Sequence, residues 1–234
     1  MDAPFPDTLI PDWDRLAGLG REALVLDATT GVCEEVFNSP VLFPLQRKRE
    51  LRRMLAVAAN INARTVMEIG ADKGGGLLHW CLLPTVQNII ACEIRGCPYQ
   101  RQLAGLFPDK NFAWMERGSQ PPPHHFPWPI DVLFIDGDKN LTLQDFDRYL
   151  HLMNPNGIVL IHDINDRPPG NAFRQIAERG YRYDEILDQS ESFEELGKEG
   201  PPSNPHAGWL RHWQGLSCGV GVIYLAGGKI RRRR

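Results

Sequence analysis

The chain has 234 residues, which is enough for one α/β domain with a fully buried central sheet. Hydrophobic residues make up 42% and charged residues 24%, as in ordinary globular proteins. The formal net charge of −3 gives no basic field that would favour nucleic acid or an anionic membrane. No apolar run approaches the ~20 residues of a membrane span. We therefore expect neither nucleic-acid nor membrane partners.

Cysteine usage and the first residues predict a cytoplasmic protein. The chain has five cysteines and no C-x-x-C pair, so neither a zinc site nor a disulfide framework is indicated. Cys81 and Cys92 lie in apolar runs and are expected to be buried thiols. The segment 1–11 is acidic and rich in proline, unlike a signal peptide.

Proline spacing and charge divide the chain into three parts. Residues 1–44 are predicted to form an N-terminal cap segment, 45–228 the main domain, and 229–234 a basic tail. Residues 45–60 have the apolar periodicity of an amphipathic helix. A polar insertion at 190–215 is a candidate substrate lid. In it, Trp209 and Trp213 are interpreted as a pocket wall, a contact in a homodimer, or core residues.

Strand and helix patterns alternate along the main domain. Strands are predicted at 65–69, 88–93, 111–116, 131–135, 158–161, 182–187 and 219–225, and helices at 76–83, 99–107, 141–153 and 171–179. Asn154–Gly157 is predicted to be a turn that ends the third of these helices. The alternation predicts a doubly wound, Rossmann-like α/β fold with a mainly parallel seven-stranded sheet and helices on both faces. In such sheets, ligands bind outside the carboxyl ends of the strands.

The first strand ends in a glycine-rich turn, E-I-G-A-D-K-G-G-G from Glu68. Gly70 and Gly74 allow a ligand to approach the backbone closely, with Ala71 and Asp72 between them. The turn departs from the G-x-G-x-x-G pattern of dinucleotide enzymes.

Glu93 follows the second strand. A carboxylate at this strand tip can accept both hydroxyls of a ribose, a geometry that dinucleotide enzymes also use. A glutamate that merely caps the strand end is the alternative.

Two neighbouring central strands end in groups that bind metal ions. Asp136 follows the fourth strand, and His162 and Asp163 follow the fifth. Carboxylates favour Mg²⁺ or Mn²⁺, and the imidazole shifts the preference towards a transition ion. Such a cation would hold two substrate oxygens and lower the pKa of one. The alternative is that these acids bond loop amides.

The ordered motifs ExGxxxG, strand-end acid, FIDGDK, NPNG and IVLIHD resemble the class I S-adenosylmethionine (SAM)-dependent O-methyltransferases, over about residues 65–166. They are most similar to the cation-dependent catechol and caffeoyl-CoA types and their bacterial sugar- and antibiotic-modifying relatives.

The resemblance implies a role for each matched position. The glycine turn from Glu68 would face the methionine part of SAM, Glu93 its ribose and Ser119 its adenine. Asp136 would lie beside SAM and bind the metal, and Lys139 would be a general base. In place of the family's Asp-Asn or Glu-Asp pair this chain has His162 and Asp163. That departure raises the alternative that His162 is itself the base.

The favoured function is therefore SAM-dependent methyl transfer to an oxygen of a small-molecule acceptor, assisted by Mg²⁺ or Mn²⁺. Two alternatives are an NAD(P)-binding oxidoreductase, which could use the same ribose acid, and a non-catalytic cofactor-binding module. A nucleic-acid methyltransferase is disfavoured, because no Asn/Asp-Pro-Pro-Tyr/Phe signature follows the fourth strand.

Overall fold

A computed structural model of the chain describes residues 15–16, 18–37, 39, 42, 44, 46–97, 99–116, 118–119, 125–187 and 219–226. Most of the predicted cap lies within these ranges. The insertion 190–215 with Trp209 and Trp213, and the basic tail 229–234, lie outside them. The predicted segment boundaries at 44 and 228 stay predictions.

Seven strands form one sheet in the order β3-β2-β1-β4-β5-β7-β6. Their bounds are β1 Thr65–Ile69, β2 Asn88–Cys92, β3 Asn111–Met115, β4 Ile130–Ile135, β5 Met153–His162, β6 Arg182–Ile186 and β7 Val220–Tyr224. Strands β1 to β5 run parallel, whereas β7 is antiparallel to both of its neighbours. The predicted fold class is confirmed, and the antiparallel strand lies between β5 and β6.

Helices cover both faces of this sheet. Their bounds are α1 Glu34–Phe37, α2 Lys48–Asn60, α3 Gly75–Leu82, α4 Gln100–Leu106, α5 Thr142–Tyr149 and α6 Arg167–Glu178. The apolar side chains of α2, α3 and α4 pack in one core and those of α5 and α6 in another. Alternate residues of each central strand enter the two cores, as the period of two in a strand requires. None of the helices in the described ranges has the length and apolarity needed to cross a bilayer.

The segment before β5 differs from the prediction. Helix α5 ends at Tyr149, a short 3-10 turn covers Leu150–Leu152, and β5 already begins at Met153. The Asn154–Gly157 segment, predicted as a separate turn, lies inside β5, where the register with β4 shifts between Ile130 and Val132. Asn154 donates a side-chain hydrogen bond to Asp131 of β4 at 3.0 Å. This bond holds the irregular segment against the sheet.

Helix α6 begins at Arg167, four residues before the predicted start at Asn171. Pro168 and Pro169 occupy the first turn of the helix. Proline is tolerated there because the first backbone N–H groups have no partner within the helix.

The described part of the N-terminal cap is packed into the domain. Leu24, Val32 and Phe37 are buried in the same core as α3 and α4. Arg21 forms an ion pair with Asp109 and lies over a phenylalanine ring, 5.1 Å from its centroid. Cys81 and Cys92 are buried thiols, as predicted.

A buried histidine joins the cap to α3. His79 lies inside α3, and its Nδ1 donates to the carbonyl oxygen of Gly75 at 2.8 Å. Its Nε2 accepts a hydrogen bond from the backbone N–H of Cys33 at 3.0 Å. This arrangement requires the neutral ring, because Nε2 acts as an acceptor. Burial lowers the pKa of His79 from 6.5 to about 4.

We expect the free energy of unfolding to decrease as the pH falls from 6.5 to about 4. The unfolded chain takes up the His79 proton first, because burial disfavours the charged ring in the folded state. The loss from this group should reach about 3 kcal/mol below pH 4. Urea denaturation at a series of pH values measures it.

Replacement of His79 by glutamine should reduce this part of the pH dependence of the free energy of unfolding. H151Q, at an exposed histidine, should leave it unchanged. Equal pH dependence in wild type and H79Q would contradict the assignment.

Candidate functional site

The parallel strands bring the predicted site residues to one edge of the sheet. The glycine turn follows β1, Glu93 follows β2, Asp136 follows β4, and His162 ends β5. Since β2, β1, β4 and β5 are consecutive neighbours in the sheet, their carboxyl ends form one continuous row. The edge therefore contains the predicted cofactor residues on one side and the predicted metal ligands on the other.

The turn after β1 crosses closely over β4. Gly70 has a φ of 89°, and a Cβ built on it would lie 2.4 Å from the carbonyl oxygen of Asp136. Only glycine fits this combination of left-handed backbone and close contact. Gly74, with a φ of 92°, precedes the first residue of α3. Ala71 and Asp72 lie between these two glycines, and their contact with the cofactor stays a prediction.

The last two glycines of the motif, Gly75 and Gly76, are in close contact with other residues of the protein. A Cβ on Gly75 would lie 1.9 Å from the carbonyl oxygen of Leu42 in the cap. A Cβ on Gly76 would lie 2.7 Å from Oε1 of Glu68. These glycines therefore allow the cap and Glu68 to approach the start of α3.

Glu68 lies beneath the turn. Its side chain is buried, and among the described residues Oε2 has no hydrogen-bond partner. Burial, with the nearby charge of Asp136, raises the pKa of Glu68 well above its usual value. The geometry thus gives Glu68 a position that supports the turn, and its direct contact with a ligand stays a prediction.

Glu93 is bonded to the glycine turn. Its Oε2 accepts a hydrogen bond from the backbone N–H of Asp72 at 3.0 Å, and its Oε1 accepts one from Arg95 at 3.2 Å. The bond to Asp72 connects the tips of β1 and β2. A carboxylate held in this way is oriented before any ligand binds, which lowers the entropic cost of binding.

An exposed apolar side chain that the sequence patterns did not indicate lies beside Glu93. Ile94 is 72% exposed. A Cβ on Gly118 would lie 3.9 Å from Cδ1 of Ile94, so this side chain lies near Ser119. Ser119 is buried, and its carbonyl oxygen accepts a hydrogen bond from Tyr149 at 2.7 Å. The position of Ile94, directly after the strand-end acid, was the available signal.

The three predicted metal ligands converge. Nδ1 of His162 lies 2.9 Å from Oδ1 of Asp136 and 3.5 Å from Oδ1 of Asp163. One ligand atom from each residue lies within 4.8 Å of the other two. Ligand atoms about 2.1 Å from one ion are roughly 3–3.5 Å apart, so the two distances from Nδ1 of His162 are compatible with one small divalent cation.

His162 is charged at neutral pH in this arrangement. Burial lowers its pKa, but the attraction and hydrogen bond of Asp136 and the charges of Asp163 and Glu50 outweigh burial and raise it to about 9. A metal ion binds only the neutral ring, so cation binding here must displace a proton.

The predicted general base Lys139 is in an unfavourable environment for that role. Its Nζ lies 2.8 Å from Oδ2 of Asp163 and is also paired with Asp166. Partial burial lowers the pKa of Lys139, but these two hydrogen bonds outweigh it and raise the pKa above its usual value. A general base needs a lowered pKa, whereas these contacts favour the charged ammonium, so the base role of Lys139 stays a prediction that this environment does not support.

Two further polar residues belong to the site: Gln46, which lies just before α2, and Glu50, in the first turn of α2. Nε2 of Gln46 donates to Oδ2 of Asp136 at 2.6 Å. Glu50 is buried, and its Oε2 lies 4.0 Å from Nε2 of His162. Neither residue could be predicted from the sequence, because no local pattern indicates that a helix preceding β1 reaches the ends of β4 and β5.

Neither a family model nor a curated protein matches the sequence. Solved structures do match. An O-methyltransferase from Streptomyces achromogenes involved in tomaymycin synthesis, in complex with SAM, shares 15% identity at a TM-score of 0.52, covering 77% of this chain and 81% of its own.

A methyltransferase from Podospora anserina bound to S-adenosylhomocysteine (SAH) shares 15% identity at a TM-score of 0.52, covering 95% of this chain and 89% of its own. An O-methyltransferase from Bacillus cereus in complex with SAH shares 14% identity at a TM-score of 0.50, covering 94% and 92%. The chain has the fold of these methyltransferases.

The methyltransferase fold separates this chain from the dinucleotide enzymes considered as an alternative. Their doubly wound sheets have the order 3-2-1-4-5-6. Here an antiparallel strand lies between β5 and β6. The strand order and the departure from G-x-G-x-x-G both disfavour the oxidoreductase.

Two identical substitutions should have opposite effects on stability. Gly75→Ala places a Cβ against the backbone of Leu42, which cannot move without displacing the cap. We expect this substitution to lower the free energy of unfolding by about 1–3 kcal/mol. Gly105 is an exposed residue of α4, and no atom lies within 4 Å of a Cβ added there. Gly105→Ala should therefore raise the free energy of unfolding by about 0.5–1 kcal/mol. Urea denaturation distinguishes the two, and a neutral Gly75→Ala would contradict the packing role.

Proposed function

We propose that the protein is a SAM-dependent methyltransferase that methylates an oxygen atom of a small molecule. The observation that supports this most strongly is the bond between the Asp72 backbone N–H and Glu93, on the same sheet edge as the Asp136 cluster. It brings the predicted cofactor residues together beside the predicted reaction centre. The shared fold with SAM- and SAH-bound structures supports the same conclusion.

In this proposal the cofactor lies along the tips of β1 and β2. The methionine part faces the turn between Gly70 and Gly74, and Glu93 accepts hydrogen bonds from the ribose hydroxyls. Ile94 and Ser119 flank the adenine. Exposed apolar surface such as Ile94 is a favourable contact for an aromatic base, because binding removes it from water.

Asp136, His162 and Asp163 would hold a divalent cation. The ion would bind neighbouring acceptor oxygens and favour the ionised form of one of them. The Lys139 ammonium beside Asp163 would stabilise negative charge that develops on the acceptor oxygen. Gln46 would orient Asp136 through its hydrogen bond to Oδ2. Methyl transfer then depends mainly on positioning, because the sulfonium carbon of SAM is already electrophilic.

The proposed acceptor is a small molecule because the chain as a whole is acidic, with a net charge of −3. A polyanionic nucleic acid would be repelled by such a surface at low salt. The cytoplasmic location and the homodimer stay predictions.

Calorimetric titration with SAM and SAH, each with and without Mg²⁺ or Mn²⁺, tests the proposal directly. We expect saturable binding of both cofactor forms. Transfer of label from methyl-labelled SAM to a panel of phenols and sugars then tests catalysis. Binding of NADH without SAH would overturn the proposal in favour of the oxidoreductase, and SAH binding without turnover on any acceptor would favour the non-catalytic module.

Replacement of Glu93 by alanine should weaken cofactor binding. The lost charge-assisted hydrogen bonds to the ribose should cost about 1.5–3 kcal/mol, or roughly a tenfold to hundredfold increase in the dissociation constant of SAH. Calorimetry measures this constant. Glu116→Ala is the matched control, since Glu116 directly follows β3 and should leave SAH affinity unchanged. Equal effects of the two substitutions would show that Glu93 is not the ribose acceptor.

Removing the carboxylate of Asp136 should abolish methyl transfer and nearly preserve cofactor affinity, because this group binds the cation. Excess chelator should have the same effect on the wild-type enzyme, reversed by Mn²⁺. Asp138→Ala is the control, because this exposed side chain only caps the following 3-10 turn. Full activity of the wild type in excess chelator would discard the role of the cation.

A further inference from the structure

Glu50 is a fully buried carboxylate that no motif explains. It lies in the first turn of α2, and its side chain is 0% exposed. Glutamate is almost never fully buried unless it is paired, because removing a carboxylate from water carries a large penalty. Burial raises the pKa of Glu50, partly offset by the attraction of His162. A buried carboxylate of this kind needs a stabilising contact at each of its two oxygens.

One oxygen of Glu50 attaches α2 to the sheet. Oε1 accepts a hydrogen bond from the backbone N–H of Gly219 at 2.9 Å. Gly219 directly precedes β7, whose first residue, Val220, pairs with His162 at the end of β5. The carboxylate is thereby held at a defined place beside the imidazole of His162.

The other oxygen faces the imidazole. Oε2 of Glu50 lies 4.0 Å from Nε2 of His162, and neither atom has a hydrogen-bond partner among the described residues. The opposite ring nitrogen, Nδ1, faces Asp136 and Asp163. The ring therefore lies between a buried carboxylate and the candidate cation site.

This order of groups is typical of metal-binding histidines. A histidine that binds a metal ion through one ring nitrogen usually donates its other N–H to a carboxylate or carbonyl. The bond fixes the tautomer, because a proton held on Nε2 leaves the lone pair on Nδ1. It also fixes the orientation of the ring.

We propose that Glu50 is a positioning residue that accepts the Nε2–H of His162 and directs the Nδ1 lone pair to a divalent cation held with Asp136 and Asp163. The inference rests on the proposed function, in which that cation binds the methyl acceptor. The present Oε2–Nε2 separation of 4.0 Å is about 1 Å longer than a hydrogen bond, so the proposal requires it to shorten when the cation binds.

Gln46, four residues earlier, acts on the neighbouring ligand. Its amide donates to Oδ2 of Asp136 at 2.6 Å, which leaves Oδ1 towards His162. The start of α2 therefore orients two of the three predicted ligands. Neither Gln46 nor Glu50 belongs to the three-residue cluster itself.

Binding of Mn²⁺ alone to the full chain, measured by electron paramagnetic resonance, tests the proposal without any acceptor. Glu50→Gln keeps the shape of the side chain but has one accepting oxygen, which cannot serve both Gly219 and His162. We expect its Mn²⁺ dissociation constant to rise by about tenfold to hundredfold. The SAH dissociation constant should change less than twofold, as a rough limit for an intact site.

Glu34→Gln is the matched control. Glu34 is a partly exposed carboxylate at the start of α1 that pairs with Lys48 of α2 at 3.0 Å, away from His162. This variant should bind Mn²⁺ as the wild type does. Glu50→Asp serves as a second test if Glu50→Gln does not fold, because it keeps the charge but is one methylene too short to reach both partners.

Nitrogen-15 spectra of histidine-labelled protein with Mg²⁺ provide a readout that a purely structural role would not change. The His162 signals, identified by their loss in His162→Gln, should show a protonated Nε2 and a metal-bound Nδ1. Glu50→Gln should lose this pattern while its melting temperature stays close to that of the wild type.

The outcomes separate the two proposals. Unchanged Mn²⁺ affinity in a folded Glu50 variant overturns the positioning role. So does wild-type protein that binds SAH but no Mn²⁺, a result that leaves the methyltransferase proposal standing. Wild-type protein that binds Mn²⁺ in a Glu50-dependent way but binds neither SAM nor SAH overturns the methyltransferase proposal alone.

Discussion

The parallel pairing of β1 with β4 is the constraint on which the rest of the site depends. It places the turn after β1 directly over the end of β4, so that a Cβ at Gly70 would clash with the carbonyl oxygen of Asp136. The predicted cofactor residues lie on one side of this contact and the candidate metal ligands on the other. A side chain at Gly70 would push the two halves apart, and a methyl donor and its acceptor must be close for transfer.

The N-terminal cap is part of this construction. Its carbonyl at Leu42 touches Gly75, and its backbone at Cys33 donates to His79 of α3. Gln46, just before α2, and Glu50, in its first turn, reach the far side of the site. The residues that precede the first strand therefore support both the glycine turn and the metal cluster.

Much of the sheet and part of the site could be predicted from the sequence. Strand β1 was predicted with its observed bounds, because apolar, β-branched runs ending at glycine or an acid are strong local signals. The convergence of Asp136, His162 and Asp163 followed from topology alone, since adjacent parallel strands end at one edge.

What the sequence could not show depends on contacts between distant residues. The extension of β5 back to Met153 depends on Asp131, and the charge on Lys139 depends on Asp163 and Asp166. The contributions of Gln46 and Glu50 arise because α2 packs near the ends of β4 and β5. No spacing within α2 encodes that contact. Tertiary packing here decided both element boundaries and protonation states.

The position of β7 has a consequence for synthesis on the ribosome. This strand lies between β5 and β6, although it follows both in the chain. Until residues 220–224 have emerged, β5 has an open edge beside His162, and Glu50 lacks the Gly219 amide that holds it. A nascent chain released before that point carries a sheet with an unpaired interior edge, the kind of surface that promotes aggregation and recruits chaperones.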